Sequence, residues 1–249
     1  MSGVKRIRTV TLAAPTMSGT LQGIAFTLWL APEPRGGVVV IHGADSRKEN
    51  HHDFARTAIA GGLSAVCFDL RGHGDSAGPL DDRVIDDVAM MAFYLRTASA
   101  PERTARTFPV ALRGSSLGGY LALAAARQAR AAAVVAICPA PAELLRRGLA
   151  AHRFAFAADR TGLDSTLDAH DLDTAARELE CPVLLLHAEG DETVPVEHSR
   201  ELASCLRHPA SRLIELPGGH HRSIQHDAEL QAVSVRFLRR ALLGGGAEQ

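Results

Sequence analysis

Two serines stand side by side in Gly114-Ser115-Ser116-Leu117-Gly118, and a hydroxyl carried on a sharp turn is a group that can attack a carbonyl carbon. At the tip of a strand–turn–helix the backbone is strained, so the positions two before and two after the tip must be small. Gly114, Ser116 and Gly118 have that G-x-S-x-G spacing, which makes Ser116 the candidate nucleophile and Ser115 its variable neighbour. A serine hydroxyl is a weak nucleophile at neutral pH and needs a base within hydrogen-bonding reach, itself oriented by a third group. Downstream, "LLLHAEGDETVP" offers Asp191 and "LIELPGGHHRSI" offers His220 and His221, each just after a strand-like run. Glu189 is an alternative acid but sits two residues nearer its strand, and the stretch after "AAAVVAIC" offers only Glu143. The oxyanion of a tetrahedral intermediate needs two preorganised N–H donors. One is expected from Leu117, which follows the nucleophile, and the other from the loop after "VVVIHG", assigned to Ala44.

Holding three distant side chains at one point requires a rigid frame. Short aliphatic runs at 37–43, 64–70, 108–114, 131–138, 182–188 and 211–217 alternate with longer stretches of helical character. That alternation is the pattern of a mostly parallel sheet with helices on both faces. A hairpin is expected within the first thirty residues, a last helix over "AELQAVSVRFLRRALL", and a fraying "GGGAEQ" tail. Residues of about 140–178 break the rhythm with two or three short helix-like pieces and read as a small inserted lid, since long connections in compact domains are usually functional. Its Phe154 and Phe156 are candidates for substrate contact, while its aspartates suit a solvated face and helix caps.

"IHGADSRKEN", "FDLRGHGDSAG", "GSSLGG", "AEGDETVP" and "LPGGHH" follow one another along the chain as they do in the α/β-hydrolase superfamily, which the sequence resembles from about residue 20 to 242. The branch it is most similar to is that of serine esterases, lipases and acyl-peptidases, including feruloyl and cinnamoyl esterases. The resemblance implies an α/β-hydrolase fold, with Ser116 as nucleophile, Asp191 as the acid that fixes the imidazole tautomer, and a histidine of "PGGHH" as base. The family's P-G-x-x-H spacing lands on His221, with His220 one residue away. It also implies a bracing role for "RGHGDS". The "HGGG" run of many lipases is absent.

The implied activity is hydrolysis of a small to medium carboxylic ester through an acyl-serine intermediate, the low aromatic content of 4% arguing against a large aromatic-lined cavity. A thioesterase or acyltransferase would use the same triad, and a non-catalytic ligand-binding α/β-hydrolase is the reading from a different class. With 249 residues, 46% of them hydrophobic, one domain over 1–249 is expected. A net charge of −1 gives no field that would gather nucleic acid or an anionic membrane, so a small-molecule ester is the expected partner. No apolar run reaches the roughly 18 residues of a membrane span, and the start lacks the apolar core of an export signal; a cytoplasmic location is expected. Cys67, Cys138, Cys181 and Cys205 are scattered and read as structural thiols. His51 and His52 in "ENHHDF" read as a solvated helix start, because no spaced carboxylate completes a metal set there. No phosphate-loop pattern is present, so no metal or other cofactor is expected.

Overall fold

The aliphatic runs become strands because β-branched and aliphatic residues predominate in each, which suits a strand covered on both faces. In the computed structural model, which describes residues 12–100 and 107–244, eight strands form one sheet: β1 (Met17–Leu21), β2 (Ile24–Trp29), β3 (Gly37–Ile41), β4 (Ser64–Phe68), β5 (Val110–Ser115), β6 (Val134–Ile137), β7 (Val183–Ala188) and β8 (Arg212–Leu216). Their order is β1-β2-β4-β3-β5-β6-β7-β8. The expected hairpin is β1–β2, turned by Gln22 and Gly23 at φ 49° and 83°, the left-handed pair that a tight hairpin demands. β2 also runs antiparallel to β4, and every pairing from β4 to β8 is parallel.

Helices cover both faces. Val39, Ile41, Leu112, Val134 and Leu185 point to one side, beneath α2 (Val84–Ser99) and α3 (Leu117–Ala124). Val38, Val40, Ala111, Val135 and Leu184 point to the other, against α1 (His52–Ala60) and α8 (Ala228–Leu243). The alternation along each strand thus splits the core into two layers. Between β6 and β7 lie α4 (Ala142–Ala150), α5 (Arg160–Ala169) and α6 (Leu172–Glu178), and α7 (Val196–Cys205) joins β7 to β8. Asp159 and Asp171 cap α5 and α6 by accepting the N–H groups of Thr161 (3.1 Å) and Thr174 (2.8 Å). α5 and α6 bury Leu163, Leu167, Leu172 and Ala176 in the first layer, whereas α4 buries only Leu145 and Gly148. The expected tail after Gly244 lies outside the described residues.

The chain leaves β3 for β4 on one side and returns through β5 on the other, so the carboxyl ends of β3 and β5 open a crevice at the switch in strand order. The approach there is backbone on backbone. A Cβ on Gly114 would overlap the Gly118 carbonyl, and one on Gly118 would overlap the carbonyls of Ile41 and His42. Gly114→Ala should therefore lower stability by about 3 kcal/mol, read as a fall in the urea midpoint at unchanged m. Gly62→Ala, where φ is +78° and nothing lies within 4 Å, should lose only the left-handed penalty of about 1–2 kcal/mol.

Candidate active site

Ser116 has φ 54° and ψ −117°, a left-handed geometry that a residue with a Cβ adopts only when its surroundings enforce it. Three hydrogen bonds do so: its N–H donates to the Ile137 carbonyl (2.9 Å), and its carbonyl accepts from Tyr120 N–H (3.0 Å) and Ala140 N–H (3.1 Å). The two serines part at this point. Ser115 Oγ is committed to Gln225 Oε1 at 2.6 Å. The Ser116 hydroxyl makes no hydrogen bond among the described residues and lines a cavity of about 380 Å³ together with Ala44, Phe154 and His221.

The loop after β7 carries Asp191, whose side chain is fully buried. Its Oδ1 accepts the N–H groups of Thr193 (2.9 Å) and Val194 (2.8 Å), and its Oδ2 lies 2.7 Å from His221 Nδ1 and 3.5 Å from His187 Nε2. Burial alone would raise the carboxyl's pKa; the hydrogen bonds from His187, His221 and Val194 outweigh it and hold the group well below the usual carboxylate range. Asp191 is thus an anion that fixes the His221 proton on Nδ1 and leaves Nε2 free to accept. The turn that delivers His221 uses Gly218 and Gly219 at φ 71° and 75°. A Cβ on Gly190 would overlap the Gly219 carbonyl, so the loops after β7 and β8 are packed as tightly as the elbow. His221 N–H donates to Glu192 Oε2 (3.2 Å), while His220 is exposed and its Nδ1 accepts the Arg222 N–H (3.4 Å). Of the two adjacent histidines the structure brings His221 to the acid, and of the two acids it brings Asp191, Glu189 being exposed. No hydrogen bond joins Ser116 Oγ to His221 among the described residues.

Neither Leu117 N–H nor Ala44 N–H has an acceptor among the described residues, so both are open donors beside the elbow. The loop holding Ala44 is braced by two histidines. His42 is fully buried, donates from Nδ1 to the Gly43 carbonyl (2.7 Å) and accepts Leu70 N–H on Nε2 (3.0 Å). Burial, aided by the neighbouring His73, pushes its pKa down to about 4, so it stays neutral and keeps that tautomer. His73 donates from Nδ1 to the Arg71 carbonyl (3.0 Å) and takes Asp45 N–H on Nε2 (3.3 Å). Asp45 in turn accepts from Ala155 N–H (2.7 Å) and Phe156 N–H (3.2 Å), tying this loop to the inserted segment. Phe154 reaches the cavity wall, whereas Phe156 lies behind it, stacked on His73 with ring centroids 4.2 Å apart. The rest of "RGHGDS" braces the same corner: Arg71 pairs with Asp87 at 2.7 Å, and Lys48 bridges Asp69 and Asp75, each at 2.7 Å.

His51 is a correction. It is not solvated but buried, both ring nitrogens lacking partners, because the turn Lys48–His51 is drawn inward by the Lys48–Asp69 pair and lies under Cys67. Sequence reasoning also missed His187, Gln225 and Cys138 as parts of the site. His187 carried a signal, since a histidine inside the buried run "VLLLHA" has to find partners; here Nδ1 meets Ser199 Oγ (2.7 Å) and Nε2 the Val194 carbonyl (2.9 Å). The Cys138 sulfur, an Asp191 oxygen and a His221 nitrogen lie within 4.8 Å of one another, the donor set nearest to a metal-ligand cluster among the described residues. The 2.7 Å between His221 and Asp191 is a hydrogen bond, closer than two ligands on one tetrahedral zinc, which sit about 3.3 Å apart for 2.0 Å bonds. These groups are set to hold a proton.

A family model described as serine aminopeptidase, S33, matches residues 32–160, and one described as TAP-like protein matches residues 164–244. The chain is 27% identical over 202 residues to the uncharacterized protein YfhR of Salmonella typhimurium, covering 74% of this chain and 63% of that one. It spans about three fifths of the length of the curated relatives it matches. A monoacylglycerol lipase from Paleococcus ferrophilus superposes with a TM-score of 0.65 at 22% identity, covering 88% of this chain and 98% of that one. Est1E from Butyrivibrio proteoclasticus, solved with ferulic acid bound, gives 0.68 at 20% identity over 92% and 98%. These likenesses show a shared fold.

Because the Asp191 pKa is lower folded than unfolded, its contribution to stability is complete above the unfolded value of about 3.9 and is lost as pH falls toward the folded one. The stability gap between the natural protein and Asp191→Asn should be flat from about pH 5 to 8 and narrow below about pH 4, measured by urea unfolding across that range.

Proposed function

The chain belongs to the α/β-hydrolase superfamily, in the family described as serine aminopeptidase, S33, and from that premise we propose that it is a serine hydrolase cleaving a small to medium carboxylic ester through an acyl-serine intermediate. The observation that carries this reading is that His221, held 2.7 Å from Asp191, lines the same cavity as a serine at φ 54°. Ser116 Oγ attacks the ester carbonyl carbon and its proton passes to His221 Nε2, which requires the two to close to hydrogen-bonding distance. Such contacts are often long in the free enzyme and tighten on substrate. The Leu117 and Ala44 N–H groups receive the developing oxyanion. His221 then gives the proton to the leaving alcohol, and water, deprotonated by the same nitrogen, attacks the acyl carbon and releases the acid and the serine. Throughout, Asp191 stabilises the imidazolium without taking the proton.

Ester is favoured over peptide by the likeness to a monoacylglycerol lipase. The two carboxylates that line the cavity, Asp45 and Glu192, each hold backbone N–H groups on one oxygen, from Ala155 and Phe156 and from His221. No helix among the described residues is long and apolar enough to cross a membrane. A cytoplasmic location with a small-molecule substrate completes the proposal, and it suits the free thiols of Cys67, Cys138, Cys181 and Cys205.

A fluorophosphonate probe should label the protein at Ser116 alone, and Ser115→Ala should still be labelled. Ser116→Ala and His221→Ala should each lower kcat on 4-nitrophenyl butyrate by about 10⁴-fold or more, and Asp191→Asn by about 10⁴-fold, with His220→Ala changing it little. Labelling that persists in Ser116→Ala, or equal losses for the two histidines, would sink the assignment.

A further inference from the structure

Resting on that reading of the site, we propose that the ester it hydrolyses carries an anionic group, a carboxylate or phosphate, away from the scissile carbonyl. Most side chains that line the cavity around Ser116 carry a polar group: apart from Gly43, Ala44 and Phe154 they end in hydroxyl, amide, imidazole or charged groups. Two guanidiniums line it, Arg153 just after α4 and Arg222 next to His221. Among the described residues neither guanidinium has an ion pair or an acceptor. Most other arginines of the fold are engaged, as Arg71 is with Asp87, Arg200 with Glu215 and Arg113 with Gln225.

The formal charges of the lining balance, and what differs is free hydrogen-bonding capacity. Asp45 is fixed by two backbone N–H groups and Glu192 by one, and His226 at the rim is paired with Asp53 at 2.9 Å. Each carboxylate thus has one oxygen engaged by backbone N–H groups, whereas neither guanidinium that lines the cavity has any donor engaged. A guanidinium is a planar fork that matches a carboxylate or phosphate with two parallel N–H···O bonds. One such fork comes from the inserted segment and the other from the loop of the proposed base, so an anion held by both would link those two walls of the cavity. An unsubstituted acyl chain would leave both forks facing solvent and would gain nothing from them.

The test compares matched pairs in which only the charge changes. The first set is the 4-nitrophenyl esters of adipate, hexanoate and 6-aminohexanoate; the second is 3-carboxyphenyl against phenyl butyrate, which places the charge on the alcohol side. In at least one set, kcat/KM for the anionic ester should exceed the neutral one about tenfold, the size of one charge-assisted hydrogen bond at a partly exposed site. The Arg153→Gln/Arg222→Gln double variant should bring that ratio to about one, and added NaCl should raise KM for the anionic ester selectively. Equal rates in both sets, or a preference for 6-aminohexanoate, would overturn the proposal. Binding of the matching non-cleavable anilides to Ser116→Ala protein separates the two readings. Absent turnover with tighter binding of the anionic anilide would remove the hydrolase and keep the anion preference; equal binding would remove the anion preference whatever the turnover.

Discussion

The structure turns on one contact between backbones, the seating of Gly118 against the carbonyls of Ile41 and His42 with Gly114 folded against Gly118. Because no side chain fits between them, the chain leaving β5 must reverse within one residue, and that residue is Ser116 at φ 54°. The strain is offset by the bonds to Ile137, Tyr120 and Ala140, which come from the next strand, from helix α3 itself and from the connection that follows β6. Two consequences follow from the same geometry. The hydroxyl is lifted off the sheet edge, and Leu117 becomes the first residue of a helix, so its N–H is one of the donors a helix start leaves without a partner. The candidate nucleophile and one oxyanion donor are thus products of a single packing constraint.

The ionisable groups around the elbow fall into two kinds, and burial sorts them. His42 and His73 are desolvated with no carboxylate bonded to their rings, so both are pushed toward the neutral form and serve as fixed donor–acceptor struts for the loop carrying Ala44 and Asp45. Asp191 is buried too, but four donors surround it, so it is held ionised. Had the partners been exchanged, His42 would titrate with its loop and Asp191 would be a neutral acid unable to orient an imidazole. Desolvation disfavours the charged form in both places, and it yields a rigid wall in one and a fixed negative charge in the other because the hydrogen-bond donors gathered around Asp191 outweigh it there.

Much of this was legible in the order of residues. The strand runs were readable because β-branched and aliphatic residues predominate in each, and the last helix over Ala228–Leu243 because its apolar spacing is regular and Asp227 caps it by accepting Leu230 N–H. The choice of Ser116 over Ser115 followed from glycine spacing, which reflects a steric requirement rather than a contact. The choice of His221 over His220 needed a family spacing, because a one-residue slip in a turn built on Gly218 and Gly219 is invisible to composition. What could not be read were pairings across long separations: Asp45 with Ala155, His73 with Phe156, Lys48 with Asp69. The misreading of His51 has the same origin, since adjacent polar histidines at a helix start look solvated until the fold draws the turn inward.

The pairing of Ser115 with Gln225 shows why the variable position of the elbow is not idle here. Side chains alternate along β5, so Ala111, Arg113 and Ser115 share the face opposite to Val110 and Leu112. At the carboxyl end of that face lies the short turn Ile224–His226, three residues beyond His221. Arg113, almost fully buried and lying 3.9 Å above the Phe54 ring, donates to the Gln225 carbonyl at 2.9 Å, while Ser115 donates to the Gln225 side chain at 2.6 Å. Burial lowers the guanidinium's pKa only to about 10, so the cation persists at neutral pH and would be costly to leave without an acceptor. That cost keeps the Gln225 carbonyl in place, and with it the segment continuing from His221. A single strand therefore sets both halves of the candidate reaction centre: its last turn carries the hydroxyl, and its buried face holds the loop of the imidazole.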